Sequence, residues 1–173
     1  FQNDINNILE IGSGAGNKLA QLCWQLDALG QGVDPSKTAV DFANKKYNQK
    51  CSYTVATADD LSFFNNKFDL VHFGFCLYLV SRNKINDVIK QADQILKSGK
   101  FLSIIDFDPH NSYENEYSHF KGLKSYKENY YKMFCDLGNY SVVNKFSYSE
   151  KSFCFSKNEN DRISLVLLFK ENK

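Results

Sequence analysis

Short apolar runs alternate along the chain with segments whose apolar residues recur every three or four positions. The short runs predict buried strands, and the wider spacing predicts amphipathic helices. The predicted strands are 7–11, a very short strand ending at Val33 and Asp34, 52–56, 68–75, 101–106, 140–148 and 162–170. The predicted helices are 17–29, 35–47, 84–97 (with Gly99 as the glycine that ends it) and most of 113–135.

The order of these segments predicts the fold class. Strands that alternate with helices form a parallel sheet with helices on both faces. The last two strands are joined by the polar turn 156–161 without a helix, which predicts an antiparallel pair at one edge. We therefore expect an α/β fold, Rossmann-like and doubly wound, with a seven-stranded, mostly parallel sheet and an antiparallel C-terminal hairpin.

Length and composition limit the number of domains and the class of protein. The 173 residues are 43% hydrophobic and 24% charged, as in a folded chain, and one domain takes about 100–200 residues. We therefore expect residues 1–173 to form a single domain. The longest apolar stretch, 68–80, contains Asp69 and His72 and is shorter than the ~20 residues of a membrane span. The net charge of +1 gives no support for nucleic-acid binding.

The cysteines predict the compartment. The five cysteines form neither a CxxC pair nor a zinc-binding spacing, so no metal site is expected. Widely spaced cysteines among apolar neighbours are typical of reduced thiols in an intracellular protein. The expected location is therefore cytoplasmic.

A glycine-rich loop carries the chemistry. The residues Glu10 to Gly16 read E-I-G-S-G-A-G, and they join a predicted buried strand to an amphipathic helix. Glycines let the backbone turn sharply and approach a ligand, and the helix N-terminus offers free N–H groups. The dinucleotide fingerprint G-x-G-x-x-G fails, because its last glycine is Asn17 here. Asp34, at the end of the second strand, could accept hydrogen bonds from both hydroxyls of a ribose.

At this point the chain resembles the class I S-adenosylmethionine (SAM)-dependent methyltransferases. The loop at Glu10 matches the first motif of that family, and G-V-D-P-S at 32–36 matches its ribose-binding segment. The stretches A-D-D-L-S-F at 58–63, F-D-L-V at 68–71 and I-L-K-S-G-K-F-L at 95–102 resemble later motifs, in the right order. Residues 106–127 are also similar to small bacterial methyltransferases that accompany surface-polysaccharide synthesis.

The resemblance implies SAM as cofactor, S-adenosylhomocysteine (SAH) as product and no metal. The family's adenine-contacting aspartate is replaced by Thr57, so Ala58 or Asp59 could take that role. The resemblance assigns cofactor binding to Glu10, Gly12, Ser13, Gly14, Gly16, Asp34, Pro35, Thr57, Ala58, Asp59, Phe73 and Gly74.

An acceptor site is expected after the fifth predicted strand. Residues 107–133 are rich in tyrosine and contain two of the three histidines. Tyr113 and Tyr117, like Tyr126 and Tyr130, would share a helix face at their four-residue spacing. His110 and His119 are the candidate general bases, and His110 has the better position, four residues past Asp106 at the end of the strand. His72 is expected to be a core residue. The proposed acceptor contacts are Asp106, Tyr113, Tyr126 and Tyr130.

The expected activity is methyl transfer to a small molecule, with an oxygen nucleophile on a polar, sugar-like or anionic acceptor. An inactive SAM-binding interaction domain and, less favoured, a nicotinamide-dependent oxidoreductase remain alternatives. The acceptor, the methylated atom and the oligomeric state are open. Family members carry N-terminal helices before the first strand, so the cap helices are expected to be missing and the cofactor site to be open.

Overall fold

The computed structural model describes residues 5–64, 67–117 and 119–172. Seven of its strands form one sheet in the order β3-β2-β1-β4-β5-β9-β8, and β6 and β7 form a separate hairpin. The strands are β1 Asn7–Ile11, β2 Leu29–Asp34, β3 Cys51–Val55, β4 Phe68–Gly74, β5 Leu96–Phe107, β6 Tyr113–Glu116, β7 Lys124–Lys127, β8 Tyr140–Ser149 and β9 Arg162–Lys170.

The strand pairing follows the predicted pattern. β1, β2, β3, β4 and β5 pair in parallel, and β9 runs antiparallel to both β5 and β8. This confirms the Rossmann-like α/β fold with a mostly parallel sheet and a C-terminal antiparallel hairpin. The chain reverses its winding between β1 and β4, and ligands of open α/β sheets bind beyond the carboxyl ends of strands at such a point.

Four helices pack on the sheet within the described residues: α1 Asn17–Leu26, α2 Lys37–Lys46, α3 Ile85–Ile95 and α4 Tyr131–Cys135. Residues 77–79 form one 3-10 turn. α2 begins where the Ser36 hydroxyl accepts a hydrogen bond from the N–H of Ala39 at 3.3 Å. This is the N-cap that serine supplies well. None of the helices in the described part of the chain has the length and apolar character that crossing a bilayer requires.

The core lies on both faces of the sheet. On one face α1 and α2 bury Leu19, Cys23, Val40 and Ala43 against the first strands. On the other face α3 and α4 cover β1, β4 and β5, with Phe73 and Phe134 at the centre of the cluster. β4 is buried on both faces over six of its seven residues, as in a strand covered on both sides.

The helix predicted over most of 113–135 is wrong. Residues 113–116 and 124–127 form an antiparallel hairpin, and only 131–135 are helical. Tyr113 and Tyr117, and Tyr126 and Tyr130, therefore share no helix face. Gly122 has φ +87° in the turn, a conformation that glycine adopts readily.

Other helix ends differ by a few residues from the sequence prediction. α1 ends at Leu26 and not at 29, because Asp27 (φ 54°) takes the left-handed conformation and its N–H caps Cys23. α3 ends at Ile95, and Gly99 lies within β5 instead of ending the helix. Its φ of +70° accompanies the irregular pairing of β4 with β5.

Candidate functional site

A cavity of about 560 Å³ opens beyond the carboxyl ends of β1, β2, β3 and β4. It follows the switch point of the sheet, where the turns after these strands meet. Its wall consists of Ile11, Gly12, Gly14, Val33, Asp34, Pro35, Ala56, Thr57, Ala58, Asp59, Phe75, Cys76, Tyr78, Leu79, Val80, Ser81, Lys84, Val88 and Tyr117.

The glycine loop forms the floor of this cavity. The N–H groups of Gly12 and Ser13 both donate to the carbonyl of Val33, at 2.8 and 3.0 Å, so the loop is fastened to the end of β2. Gly12 has φ +75°, and a Cβ there would lie 2.4 Å from the Cβ of Cys76. A Cβ on Gly14 (φ +51°) would meet nothing within 4 Å. The backbone is therefore packed below Gly12 and open at Gly14.

Asp34 joins the loop to the start of α2. Its Oδ2 accepts the N–H of Gly14 and its Oδ1 accepts the N–H of Ser36, both at 2.9 Å. A carboxylate oxygen can accept more than one hydrogen bond, so both oxygens keep acceptor capacity toward the cavity. Two backbone N–H groups fix the orientation of the carboxylate, which suits recognition of neighbouring hydroxyls.

Thr57, Ala58 and Asp59 line the cavity after β3. The carboxylate of Asp59 bonds the ammonium group of Lys84, which also lines the cavity. This hydrogen bond holds the pKa of Asp59 below its ordinary value. The end of the cavity next to Asp34 thus carries a fixed ion pair and the Thr57 backbone and hydroxyl.

Aromatic rings form the other end of the cavity. Phe75 has φ +58°, rare for a residue with a side chain, and its N–H donates to the carbonyl of Ile105 at 2.8 Å. The Tyr78 and Tyr117 rings are 6.0 Å apart, edge to face. Burial first, and then a hydrogen bond with Tyr117, raise the pKa of the Tyr78 hydroxyl. Residues with a strained backbone, as at Phe75, cluster at ligand sites.

Several residues predicted to bind the cofactor lie beside the cavity and do not line it. Glu10 is buried, and its Oε2 accepts the N–H of Leu19 in the first turn of α1 at 3.1 Å. Burial raises the pKa of Glu10 to about 7, against the opposing charge of Lys18. Glu10 therefore anchors the helix that follows the loop. The others in this group are Ser13, Gly16, Phe73 and Gly74.

Each of these four has a packing role. Ser13 is buried next to Gly32, and the carbonyl of Gly16 accepts the hydroxyl of Tyr53 at 2.8 Å. Phe73 is fully buried against Phe134. β4 ends at Gly74, so the next residues, Phe75 and Cys76, face the cavity instead.

The two candidate bases lie at different distances from the cavity wall. His119 packs edge to face on Tyr117, with ring centroids 5.3 Å apart, and Tyr117 lines the cavity. His110 is exposed, and its backbone N–H donates to Glu159 at 3.0 Å. Neither histidine is part of the wall itself. His72 is buried and bonds Ser103 through Nδ1, as expected of a core residue.

The predicted acceptor residues do not converge. Asp106 is buried and accepts the N–H groups of Tyr78 and Phe107, and burial raises its pKa to about 7. Tyr113 donates to Asn160 outside the cavity. Tyr126 and Tyr130 flank the guanidinium of Arg82, at 4.4 and 5.4 Å from the ring centroids. These residues shape the surroundings of Tyr78 and Tyr117.

A family model described as a methyltransferase domain matches residues 8–99. The chain belongs to this methyltransferase domain family. The matched residues include all of β1 but its first residue, the glycine loop, Asp34 and every wall residue of the cavity except Tyr117. Membership confirms the resemblance to the SAM-dependent methyltransferases, the family whose cofactor is SAM.

Two curated relatives of this methyltransferase domain are also named as methyltransferases. The chain is 31% identical over 110 residues to the ubiquinone/menaquinone biosynthesis C-methyltransferase UbiE of Rickettsia typhi. It is 28% identical over 99 residues to the methyltransferase sll0829 of Synechocystis. These matches cover 57% of this chain and 44% and 46% of the two relatives. The chain thus spans less than half the length of the curated relatives it matches.

Solved structures show the same fold. The N-methyltransferase NodS of Bradyrhizobium japonicum, in complex with SAH, superposes with a TM-score of 0.74 at 16% identity, over 97% of this chain and 79% of NodS. A SAM-dependent methyltransferase of Methanosarcina mazei gives 0.73 at 17% identity, over 98% and 94%.

The methyltransferase domain has wall residues that were not among the predicted cofactor or acceptor contacts: Ile11, Val33, Ala56, Phe75, Cys76, Tyr78, Leu79, Val80, Ser81, Lys84, Val88 and Tyr117. Most belong to the segment after β4, whose apolar sequence continues the strand without a break. The sequence signal that marks the end of the strand is Gly74, the last residue of β4, which lies shortly before the 3-10 turn at 77–79. Among the described residues, no cluster of three or more His, Cys, Asp or Glu could hold a metal ion.

Proposed function

We propose that the protein transfers the methyl group of SAM to a small acceptor, with the cofactor held in the 560 Å³ cavity. The observation that carries this proposal is the arrangement of that cavity, with a fixed carboxylate and an open glycine at one end and aromatic residues, one of them the strained Phe75, at the other. The cavity size is within the range of about 300–1,000 Å³ for small-molecule sites.

The residues present fit SAM. Asp34 has free acceptor capacity for ribose hydroxyls, and its two backbone bonds hold it in place. The open space above Gly14 admits a ligand against the backbone. Thr57 and Asp59 stand at the same end and would contact the adenine. SAM supplies an electrophilic methyl group on a sulfonium, so the main task of the protein is positioning.

The acceptor would lie against Phe75, Tyr78 and Tyr117. We propose an oxygen nucleophile on a polar, sugar-like or anionic molecule, because tyrosine hydroxyls there can bond acceptor hydroxyls. His119, in contact with Tyr117, is the better-placed general base for a protonated oxygen. His110 has no contact with the cavity wall and is the weaker candidate.

Titration calorimetry with SAM and SAH tests cofactor binding. We expect the wild-type protein to bind both, and Asp34→Asn to bind each about 10- to 100-fold more weakly, because it loses charge-assisted hydrogen bonds. Asp41→Asn is the matched control, since Asp41 is exposed and bonds only Lys37 among its described partners. Absence of binding by a folded wild-type protein would contradict the proposal.

A screen of hydroxylated, amine and anionic acceptors with isotope-labelled methyl SAM tests the acceptor class. We expect labelled methyl ethers and rate loss in His119→Asn, with His110→Asn as its comparison. Products methylated at nitrogen or carbon would overturn the oxygen assignment and leave methyl transfer intact. Bound SAM without any product across the panel would favour an inactive SAM-binding domain.

A further inference from the structure

Two of the five free cysteines lie side by side, away from the cofactor cavity. Cys23 is on α1, and Cys51 is the first residue of β3. Both are buried, at 0% and 8% exposure, in the same hydrophobic cluster. The cavity lies beyond the carboxyl ends of the strands, whereas Cys51 lies at the opposite end of β3.

The lack of a side chain at Gly30 allows Cys23 and Cys51 to lie this close together. Cys51 pairs with Gly30 in the parallel β2–β3 ladder, and neighbours in such a ladder point to the same face of the sheet. A Cβ on Gly30 would lie 2.5 Å from the sulfur of Cys23. The Cys23 sulfur therefore fills the space next to the Cys51 side chain.

A surface groove of about 460 Å³ leads to Cys51 and not to Cys23. Its wall carries two ammonium groups and several side-chain amides, with the exposed ring of Trp24 among them. The complete wall is Asn17, Ala20, Gln21, Trp24, Lys46, Tyr47, Gln49, Lys50 and Cys51. This chemistry suits an anionic, peptide-like molecule, since amides and ammonium groups pair with its peptide and carboxylate groups.

We propose that Cys51 is a site of thiolation by an anionic low-molecular-weight disulfide of the glutathione type, and that Cys23 resolves the adduct. The Cys51 thiolate attacks one sulfur of the reagent, a new S–S bond forms, and one thiolate of the reagent leaves. Deprotonated Cys23 then attacks the Cys51 sulfur and expels the second thiol. The protein loses two hydrogen atoms and the reagent is reduced to two thiols.

The local electrostatics assist the first step. The hydrogen bond from Cys23 lowers the pKa of the Cys51 thiol and raises that of Cys23, while nearby Lys50 further favours the Cys51 thiolate. Cys51, which borders the groove, is thus the better nucleophile, and the fully buried Cys23 is its partner. Redox-sensitive cysteines combine a low pKa and a neighbouring resolving thiol with access for the reagent, and the groove is the route of access here.

Mass spectrometry of the intact chain treated with glutathione disulfide tests the proposal. After alkylation of remaining thiols and digestion, we expect a Cys23–Cys51 cross-linked peptide and a mass lower by two hydrogen atoms. Cys23→Ser should instead accumulate a glutathione adduct on Cys51. The cross-link closes a loop containing β2 and α2, so the oxidised protein should unfold at higher urea concentration.

Cys154→Ser is the matched control, because Cys154 is exposed and distant in sequence from the pair. It should leave the cross-link unchanged. Two wild-type results overturn the proposal, provided that circular dichroism shows the native fold: no Cys23–Cys51 peptide, or random pairing of all five cysteines. The wild-type readout requires no substitution, so a poorly folded Cys23→Ser variant does not affect the outcome, and SAM binding is measured separately.

Discussion

Gly12 and Gly14 share a left-handed backbone but have opposite surroundings. Beneath Gly12 the Cys76 side chain fills the space that a Cβ would need, and its thiol donates to the carbonyl of Ile11 at 3.1 Å. Above Gly14 the space is free. One glycine is therefore required for packing the loop, and the other for leaving room at the cavity.

Gly12→Ala and Gly14→Ala form a matched pair. Both pay about 1–2 kcal/mol for a left-handed alanine. Gly12→Ala also collides with Cys76, which adds about 1–3 kcal/mol of overpacking. Urea unfolding should therefore show a markedly larger loss for Gly12→Ala. Equal losses would mean that Cys76 moves aside without cost.

Glu10 adds a buried carboxyl to the same region. Its folded pKa of about 7 exceeds the ordinary 4.5, because burial disfavours the charge. Between these pH values the folded state binds more protons than the unfolded state. The Glu10 contribution to the free energy of unfolding is thus largest below pH 4.5 and falls as the pH rises to 7. The nearby His72, whose pKa burial lowers to about 4, acts in the opposite direction.

Comparing the wild type with Glu10→Gln isolates the effect of the Glu10 carboxyl on stability, because both proteins retain His72 and Lys18. We expect the difference in unfolding free energy, wild type minus Glu10→Gln, to fall by about 3 kcal/mol between pH 4 and 8. Urea titrations at several pH values measure it. A constant difference would show that Glu10 titrates normally, and a difference that rises with pH would show a lowered pKa.

At the scale of elements, Arg82 connects the segment after β4 to the β6–β7 hairpin. Its guanidinium donates to the carbonyl of Val80 and to Glu128, each at 2.9 Å, and to the Tyr130 hydroxyl at 3.2 Å. It also stacks on Tyr126. Arg82 therefore links the two segments that carry Tyr78 and Tyr117, in addition to the contact between those two rings.

Removing that side chain should loosen the hairpin. We expect Arg82→Gln to cost about 2 kcal/mol, as for hydrogen bonds to a charged group, and to speed amide exchange in 113–127. Arg82→Lys should be intermediate, because lysine cannot form the planar fork. Hydrogen exchange measures both.

Lys124→Gln is the control for this prediction. Lys124 forms an exposed ion pair with Glu114 inside the hairpin, and exposed pairs contribute little stability. An effect of Lys124→Gln as large as that of Arg82→Gln would assign the hairpin's stability to its own strands.

The hairpin is also the part that the sequence predicted wrongly. Four-residue spacing of tyrosines is compatible with a helix, and the segments Y-E-N-E and K-S-Y-K contain no apolar run that would mark a strand. Arg82, in the segment after β4, contacts Glu128 and Tyr130 just beyond the hairpin. Local periodicity holds no information on such contacts, whereas the strongly apolar β1 and β4 could be predicted from their own residues.

At the scale of the whole molecule, the alternation of strands and helices predicted a parallel sheet with a closing antiparallel pair. It also predicted that the glycine loop and Asp34 follow the carboxyl ends of two strands. The order of the strands in the sheet was not predicted. Parallel strands require crossover helices, so the alternation itself predicts which strand ends meet. The wall from Phe75 to Val88 was missed, because its apolar residues resemble a continued strand. Its placement depends on the turn that follows Gly74.

The strand order also sets when the cavity can assemble during synthesis. β1 pairs with β2, which lies close to it in the chain, and with β4, which comes much later. A nascent chain that has emerged through β3 can form a three-stranded unit with α1 and α2 on one face. Cys76, which packs under Gly12, and the aromatic wall do not yet exist. Such distant pairings slow folding, so the cavity is complete only after the ribosome has delivered β4 and the segments that carry Cys76, Tyr78 and Tyr117.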